Sequence, residues 1–463
     1  MARLEVRRGT IGCCGVALVG WSLLLLAEAP GSDLRRYVAL TLGAWVIYVV
    51  ALRLTFALPF NGLATRNMRS DLLAILLVAL AVRIALVASP PSLSDDIYRA
   101  VWDARLVTHG INPYAYAPLA PELQPLRDEL IWPRVNHPEQ RTPYPPLAEI
   151  AGALAYKAHP ESVRSIQVLA GTLDLLTALL LAALLARLGS DPRRCIVVAW
   201  SPIGAVQFAH SGHNDAEMLA ALIAVPLLLT SGRRSLAAAA LAAATMVKLV
   251  PVVGLPLTCR TVAARGLVVF VGFCAMVTLP FLGAGQGLVS GVLSEGGTQE
   301  FNDSAHLLVA RATAIIASQS SEAVATGFSL VLVGCATLLV ALRSDHSARA
   351  VLLGTSRVLG TYILLAAVVE PWYLTWLAPL VAIVLMPGRR FFFARSDACA
   401  WLWLGGAATL TELTYLPGGS ALWIPIRVAE YVPVYFVLGL LAARWLLHRR
   451  TSVPKAPTRA NST

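Results

Sequence analysis

The chain has 463 residues, of which 57% are hydrophobic and 14% carry a charge. Soluble proteins carry about 25% charged residues, so this composition excludes an ordinary soluble enzyme. The formal net charge is +11, but the basic residues are spread over short segments and build no basic folded face of the kind that binds nucleic acid. The composition indicates a protein of the lipid bilayer with no nucleic-acid partner.

Long apolar blocks recur along the chain, and blocks of about 17–25 residues can cross a bilayer as α-helices. They occupy residues 11–27, 38–58, 71–88, 164–187, 195–210, 215–231, 265–282, 323–343, 351–369, 372–387, 397–416 and 429–447. Residues 235–258 are predicted as two short helices broken near Pro251, and residues 147–158 and 306–318 are short for a crossing. The pattern predicts an all-α, polytopic membrane protein with about 12–14 transmembrane helices, in which residues 1–463 form one domain.

Basic residues predict the orientation of these helices, because cytoplasmic loops carry an excess of lysine and arginine. Arginines stand at both chain ends and in the connections 59–70, 187–194, 231–234, 259–265, 343–349 and 388–395. Both termini, including a tail at 448–463, are therefore expected in the cytoplasm. The much longer connection at 89–146 is expected on the outer side.

This long connection opens with LSDDIYRAVWDARLVTHGINPYAYAP, residues 93–118. Ser94 is a good helix N-cap. Asp95 and Asp96 then suit the first helical turn, where the helix dipole favours negative charge. An apolar stripe that starts at Ile97 predicts a short amphipathic helix at the membrane surface.

The adjacent acids allow two interpretations. In the first, they cap the helix, and Asp95 pairs with Arg99 four residues later, a contact worth about 0.2–0.5 kcal/mol. In the second, one carboxylate is catalytic at the membrane–water boundary and its neighbour tunes it. A cap needs only one acid, and long ordered loops are commonly functional, so both interpretations stand.

Another polar cluster lies in FAHSGHNDAEMLAALIAVP, residues 208–226, where one crossing ends and the next begins. Its members are His210, His213, Asn214, Asp215 and Glu217. Their spacing matches no defined metal-ligand pattern. The alternative is an ordinary polar turn in which Asn214 or Asp215 caps the following helix.

Further along, Lys248 stands in TMVKLVPV beside the predicted helix break. An ammonium group inside a membrane usually faces a cavity or a partner, and snorkelling to the boundary is the alternative. The stretch EPWYLTWLAPL then places Glu370, Trp372 and Tyr373 at another outer turn, although interfacial aromatics occur in any membrane protein. The last outer connection is flanked by Glu412, Arg427 and Glu430.

Five of these stretches, in chain order, resemble the bacterial polyprenol-phosphate-mannose-dependent mannosyltransferases of the GT-C superfamily, especially the alpha-(1→6)-mannosyltransferases. They are SDDIYRAVWDARLVTHGINPYAYAP, TPYPPLAEI (142–150), SGHNDAEMLAALI, VKLVP and PWYLTWLAPL. The resemblance covers residues 70–390. The family often has tyrosine and glycine where this chain has Ala100 and Ala104, which leaves the acceptor and the linkage open.

The resemblance implies a GT-C-like fold and a polyprenyl-phosphate-sugar donor. Its hexose, above all mannose, would pass with inversion to a hydroxyl of a glycolipid or glycan acceptor on the outer face. Asp95 would be the catalytic base and Asp96 its catalytic neighbour, with Lys248, His213 and Arg427 as cations for the donor phosphate. The remaining donor- and substrate-binding residues implied are Arg99, Trp102, Asp103, Asn112, Tyr114, Tyr144, Asn214, Asp215, Glu370, Trp372 and Tyr373.

Two other protein classes are kept as alternatives. A transporter or flippase of lipid-linked sugars would carry charges near the bilayer midplane and often internal repeats, whereas these charges favour the outer boundary and no repeat is evident. A lipid-linked glycan polymerase or ligase also uses outer loops, but it lacks a paired acid right after an early helix. The sequence indicates no cofactor and leaves open a divalent cation and the choice among mannose, glucose and arabinose.

Overall fold

The computed structural model describes residues 2–60, 62, 66–291, 301–315, 321–384 and 397–451. Within these ranges the chain is helical without a strand, and an isolated β-bridge pairs Phe301 with Val368. The all-α prediction is confirmed. The predicted connection at 388–395 and most of the predicted tail at 448–463 lie outside the described residues.

The helices follow one another along the chain, and a long connection that contains α4 lies between α3 and α5. They are α1 (Ala2–Glu28), α2 (Leu34–Phe56), α3 (Arg66–Ala88), α4 (Asp96–Thr108), α5 (Pro146–Ala158), α6 (Val163–Arg187), α7 (Ile196–Ala199), α8 (Pro202–Ala205), α9 (Asp215–Thr230), α10 (Arg234–Val247), α11 (Leu255–Thr278), α12 (Ala305–Ala314), α13 (Ser321–Arg343), α14 (Ala348–Leu365), α15 (Ala378–Val384), α16 (Ala398–Ala407) and α17 (Trp423–Thr451).

Eight helical stretches in the described part of the chain are long and apolar enough to cross a membrane, so the protein is a multi-pass membrane protein. They are Ala2–Glu28, Leu34–Phe56, Asn67–Ala88, Val163–Arg187, Val250–Ala284, Ser321–Arg343, Ala348–Leu365 and Gly419–Leu447. Shorter apolar helices, such as α9 and α10, pack among them.

Several predicted crossings are broken helices. Residues 195–210 divide into α7, α8 and a π-helical turn, because Pro202 lacks an amide proton and Ser201 caps a new helix by accepting from Gly204 N at 3.2 Å. The break predicted near Pro251 is present, since α10 ends at Val247 and a short 3₁₀ segment precedes α11.

Polar contacts distinguish the two ends of the helix bundle. At one end, Asp71 on α3 pairs with Arg8 on α1 at 3.0 Å and with Arg193 at 2.8 Å. At the opposite end, the amide of Gly31 donates to Ser92 Oγ at 2.9 Å, which joins the α1–α2 connection to the segment after α3. We call this second end the loop end.

The long connection between α3 and α5, called the long loop, folds around α4. Ile97, Val101 and Trp102 of α4 are buried together with Leu123 and Ile131 from later in the loop. α4 also packs against α5 and α6. The long loop therefore has its own small core, which fixes the start of α4 at the loop end of the bundle.

Candidate active site

A cavity of about 910 Å³ lies at the loop end. Its walls come from the start of α4, the later part of the long loop, the turn before α9, the break after α10 and the segment after α14. Most predicted site residues line it: Asp95, Asp96, Arg99, Tyr144, His213, Asn214, Lys248, Glu370, Trp372 and Tyr373. The fold thus gathers motifs that are far apart in the chain.

The acid pair stands where α4 begins. Asp95 occupies the N-cap position without a side-chain hydrogen bond to the helix, and Ser94 Oγ instead accepts from Asp96 N at 3.3 Å. Arg99 pairs with Asp103 at 2.8 Å and not with Asp95. Capping and salt bridging therefore do not account for Asp95, whose exposed carboxylate faces the cavity and meets no donor among the described residues.

Asp96 differs from its neighbour because its carboxylate is held. Asn136 Nδ2 donates to Asp96 Oδ1 at 2.6 Å, and His213 Nδ1 lies 3.6 Å from Asp96 Oδ2. Burial raises the pKa of Asp96, and the hydrogen bond from Asn136 opposes that shift. Burial lowers the pKa of His213 well below its usual range, so its imidazole is neutral near pH 7 and the contact with Asp96 is not an ion pair.

The Arg99 guanidinium ties α4 to the cavity wall. Its Nε pairs with Asp103, and both side chains are buried. Its terminal nitrogens donate to the backbone carbonyls of His137 at 3.2 Å and Gln140 at 3.0 Å. One charged group therefore fixes the segment that carries Asn136, the donor to Asp96.

The TPYPPLAEI motif makes a polar contact behind this wall. Thr142 Oγ1 donates to Glu149 Oε1 at 2.6 Å across the proline-rich turn that begins α5. Burial and the nearby Asp103 raise the pKa of Glu149 well above its usual range. The motif thus fixes the start of α5 and the approach of Tyr144 to the cavity.

Aromatic rings form another part of the wall. The His213 ring stacks on Trp372 with centroids 3.6 Å apart and an interplanar angle of 19°. Tyr373 stacks on Trp376 at 4.4 Å. Such rings combine an apolar face with a polar edge, which suits a sugar ring or a lipid chain.

Lys248 faces these rings from the break after α10. Its Nζ lies 2.9 and 3.0 Å from the two carboxylate oxygens of Asp215 and 4.3 Å from the centroid of Tyr373. Trp376 Nε1 also donates to Asp215 Oδ1 at 2.6 Å. The Asp215 carboxylate is buried behind the cavity wall, so the ammonium group is held at the cavity by an ion pair and not extended to solvent.

A comparison with models of protein families identifies the family of the chain. The model described as "Alpha-(1->6)-mannopyranosyltransferase, N-terminal domain" matches residues 11–264, more than half of the chain, including the acid pair and Lys248. The chain belongs to the alpha-(1->6)-mannopyranosyltransferase family. The resemblance to bacterial GT-C mannosyltransferases is confirmed, and the alternatives of a transporter, polymerase or ligase are set aside. No curated protein matches the chain.

Some predicted residues of this mannosyltransferase do not line the cavity. Trp102 is fully buried in the core of the long loop. Asn112 Nδ2 donates to the carbonyl of Phe281 at 2.9 Å, and Tyr114 OH donates to the carbonyl of Tyr144 at 2.6 Å. Together with Asp103 and Asp215, which lie behind the wall, these residues hold the elements that line it.

Arg427 belongs to a neighbouring cluster near the start of α17. Its Nη2 lies 2.7 Å from Oδ1 of the buried Asp303. Beside it, Asn302 Nδ2 donates to Glu430 Oε2 at 2.6 Å. The Arg427 charge is therefore compensated by a carboxylate, and the residue lies outside the cavity lining.

The cavity also contains residues that the sequence analysis did not select. They include Asn136, His137, Gln140, Arg141 and His306. The first four of these stand in VNHPEQR, residues 135–141, directly before the TPYPP turn. This run of polar side chains is the sequence feature that could have indicated a functional segment. A loop has no periodicity, however, that would show which of its side chains face the cavity.

Within the described ranges, no group of three or more His, Cys, Asp or Glu side chains is arranged to hold a metal ion.

Asn136→Ala is expected to move the acid limb of the mannosyl-transfer rate to higher pH. The hydrogen bond from Asn136 lowers the pKa of Asp96, so its loss raises that pKa and the ionised form persists only at higher pH. The measurement is kcat/KM against pH, with Gln124→Ala at an exposed position of the same loop as the control. An acid limb at the wild-type pH in Asn136→Ala would show that Asp96 ionisation does not govern the rate.

Proposed function

We propose that this mannosyltransferase takes mannose from a polyprenyl-phosphate donor and transfers it, with inversion, to a hydroxyl of a glycolipid or glycan on the outer face of the membrane. The observation that carries the proposal is that Asp95, a carboxylate with no partner among the described residues, meets aromatic rings and cations in one cavity at the loop end. The positive-inside distribution of basic residues supports the outer location.

In the proposed reaction, Asp95 is the general base. The acceptor oxygen attacks C1 of the sugar from the face opposite the phosphate, and the C1–O bond to phosphate breaks with its electron pair leaving on the phosphate. The hydroxyl proton passes to the Asp95 carboxylate as the new C1–O bond forms. Attack from the opposite face turns a β-linked donor into an α-linked product.

Asp96 and the aromatic wall have supporting roles in this proposal. The Asp96 carboxylate, fixed by Asn136, places a second negative charge beside Asp95 and so strengthens its affinity for the proton. Trp372 and Tyr373 offer ring faces to the sugar, and Glu370 and Asn214 line the same cavity with polar atoms that can accept its hydroxyls.

A lipid-linked donor is supported by apolar side chains of α13 and α14 that line the cavity. They are Leu330 and Val333 of α13 and Leu365 of α14. Leu330 is also 63% exposed on the surface of a membrane-spanning helix. We therefore propose that a polyprenyl chain enters the cavity laterally beside Leu330, which lines the cavity and is also exposed on this helix.

The donor is tested by incubating membranes that contain the enzyme with labelled polyprenyl-phosphate mannose or polyprenyl-phosphate glucose. We expect the mannose donor to lose its sugar and the glucose donor to remain intact. Membranes with an Asp95→Asn, Asp96→Asn double variant are the matched control. Equal use of both donors, or use of neither, would contradict the proposed substrate.

A further inference from the structure

Among the described residues, three lysine and arginine side chains line the cavity: Arg99, Arg141 and Lys248. The cavity is otherwise acidic, since the carboxylates of Asp95, Asp96, Glu370 and Glu412 also line it. A phosphate group entering such a space is repelled unless a cation meets it. The cations therefore decide where a phosphate can bind.

Two of the three cations already have a buried carboxylate as a partner. Arg99 pairs with Asp103 at 2.8 Å and uses its remaining nitrogens on backbone carbonyls. Lys248 contacts both oxygens of Asp215. Each pair is close to neutral as a unit, so neither offers a full positive charge to a ligand.

Arg141 is different. Within the described ranges its guanidinium contacts no carboxylate, and its polar contact is a long one, 3.5 Å from Nη1 to Ser290 Oγ. Its backbone, by contrast, is tightly packed, because a Cβ on Gly291 would lie 2.7 Å from the Arg141 carbonyl oxygen and 2.2 Å from that of Thr142. The main chain is thus fixed while the charged end remains available to a ligand in the cavity.

We propose that Arg141 binds the phosphate of the lipid donor and, after transfer, that of the polyprenyl-phosphate product. This inference rests on the proposed function. A guanidinium stays charged at all relevant pH values and matches phosphate oxygens with two parallel N–H donors. As the C1–O bond breaks, charge grows on the phosphate, and a positioned cation stabilises this leaving group.

The test compares Arg141→Gln, Arg141→Lys and the control Arg35→Gln, which removes an exposed arginine near the start of α2 outside the cavity. The readouts are the donor KM and the inhibition constant of added polyprenyl phosphate. We expect both to rise about tenfold or more in Arg141→Gln, as for the loss of a charge-assisted hydrogen bond. Arg141→Lys should give a smaller rise in both constants, because the ammonium group keeps the positive charge but lacks the two parallel N–H donors of the guanidinium. Arg35→Gln should match the wild type.

Inorganic phosphate is the second ligand in the test. It should inhibit the wild type more weakly than polyprenyl phosphate and lose inhibition in Arg141→Gln, because Arg141 recognises the phosphate and not the lipid. Wild-type constants for both inhibitors in a folded Arg141→Gln variant would overturn the assignment. If the wild type itself leaves polyprenyl-phosphate mannose intact, the proposed function fails, while inorganic phosphate binding still reports on Arg141.

Discussion

Asp95→Asn is expected to lower turnover in mannosyl transfer about 10²–10⁴-fold, the usual contribution of a general base. The change replaces a carboxylate that faces the cavity without a partner among the described residues. Since the Asp95 side chain makes no capping hydrogen bond, the fold loses little, and donor KM should stay close to the wild-type value. The measurement is transfer by purified enzyme, with thermal melting as the check on folding.

Two variants accompany this experiment. Asp33→Asn is the matched control, because Asp33 caps α2 by accepting from Arg36 N at 3.1 Å and asparagine caps about as well as aspartate. Asp96→Asn should be less severe than Asp95→Asn. Near-native transfer by Asp95→Asn together with an inactive Asp96→Asn would show that Asp96 is the base and Asp95 its neighbour. Near-native transfer by the double variant would show that neither carboxylate takes part in the reaction.

Lys248→Met is expected to destabilise the folded enzyme by about 3–5 kcal/mol, the usual cost of removing one partner of a buried ion pair. The Asp215 carboxylate is 1% exposed and would keep the Trp376 indole as a donor but lose its counter-charge. We therefore expect a clear fall in the melting temperature of detergent-solubilised protein.

The double variant Lys248→Met, Asp215→Asn separates stability from substrate binding. It removes both charges, and the asparagine oxygen can still accept from Trp376, so most of the stability should return. If phosphate binding depends on Arg141, the double variant should have a donor KM near that of the wild type. A stable double variant with a strongly raised donor KM would instead assign the donor phosphate to Lys248.

Much of the site follows from residue type and position in the chain. Charged side chains in or near a membrane cost free energy and are therefore often functional. This chain has a pair of acids directly after an apolar crossing and a lysine at a helix break beside a proline. Asp95, Asp96 and Lys248 were selected on this ground, and all line the cavity. The apolar blocks likewise predicted α1, α2, α3 and α6, because an uninterrupted helix leaves a continuous hydropathy signal.

Other features depend on tertiary contacts that the sequence does not encode locally. Asp215 and Lys248 are separated by two helices, and nothing in either motif indicates that they pair. Asn136 and Arg141 stand in an aperiodic loop, so their inward direction could not be predicted. Arg427 shares a predicted outer turn with other polar groups, but its partner Asp303 holds it outside the cavity lining.

The central claim is an inverting transfer from a lipid phosphate, and product analysis with purified enzyme in lipid nanodiscs tests it most directly. The enzyme is supplied with labelled β-linked polyprenyl-phosphate mannose and a mannoside acceptor, and both products are quantified. We predict equal amounts of free polyprenyl phosphate and of acceptor that carries a new α-linked mannose. A β-linked product, or a lipid donor that remains intact, would contradict the mechanism.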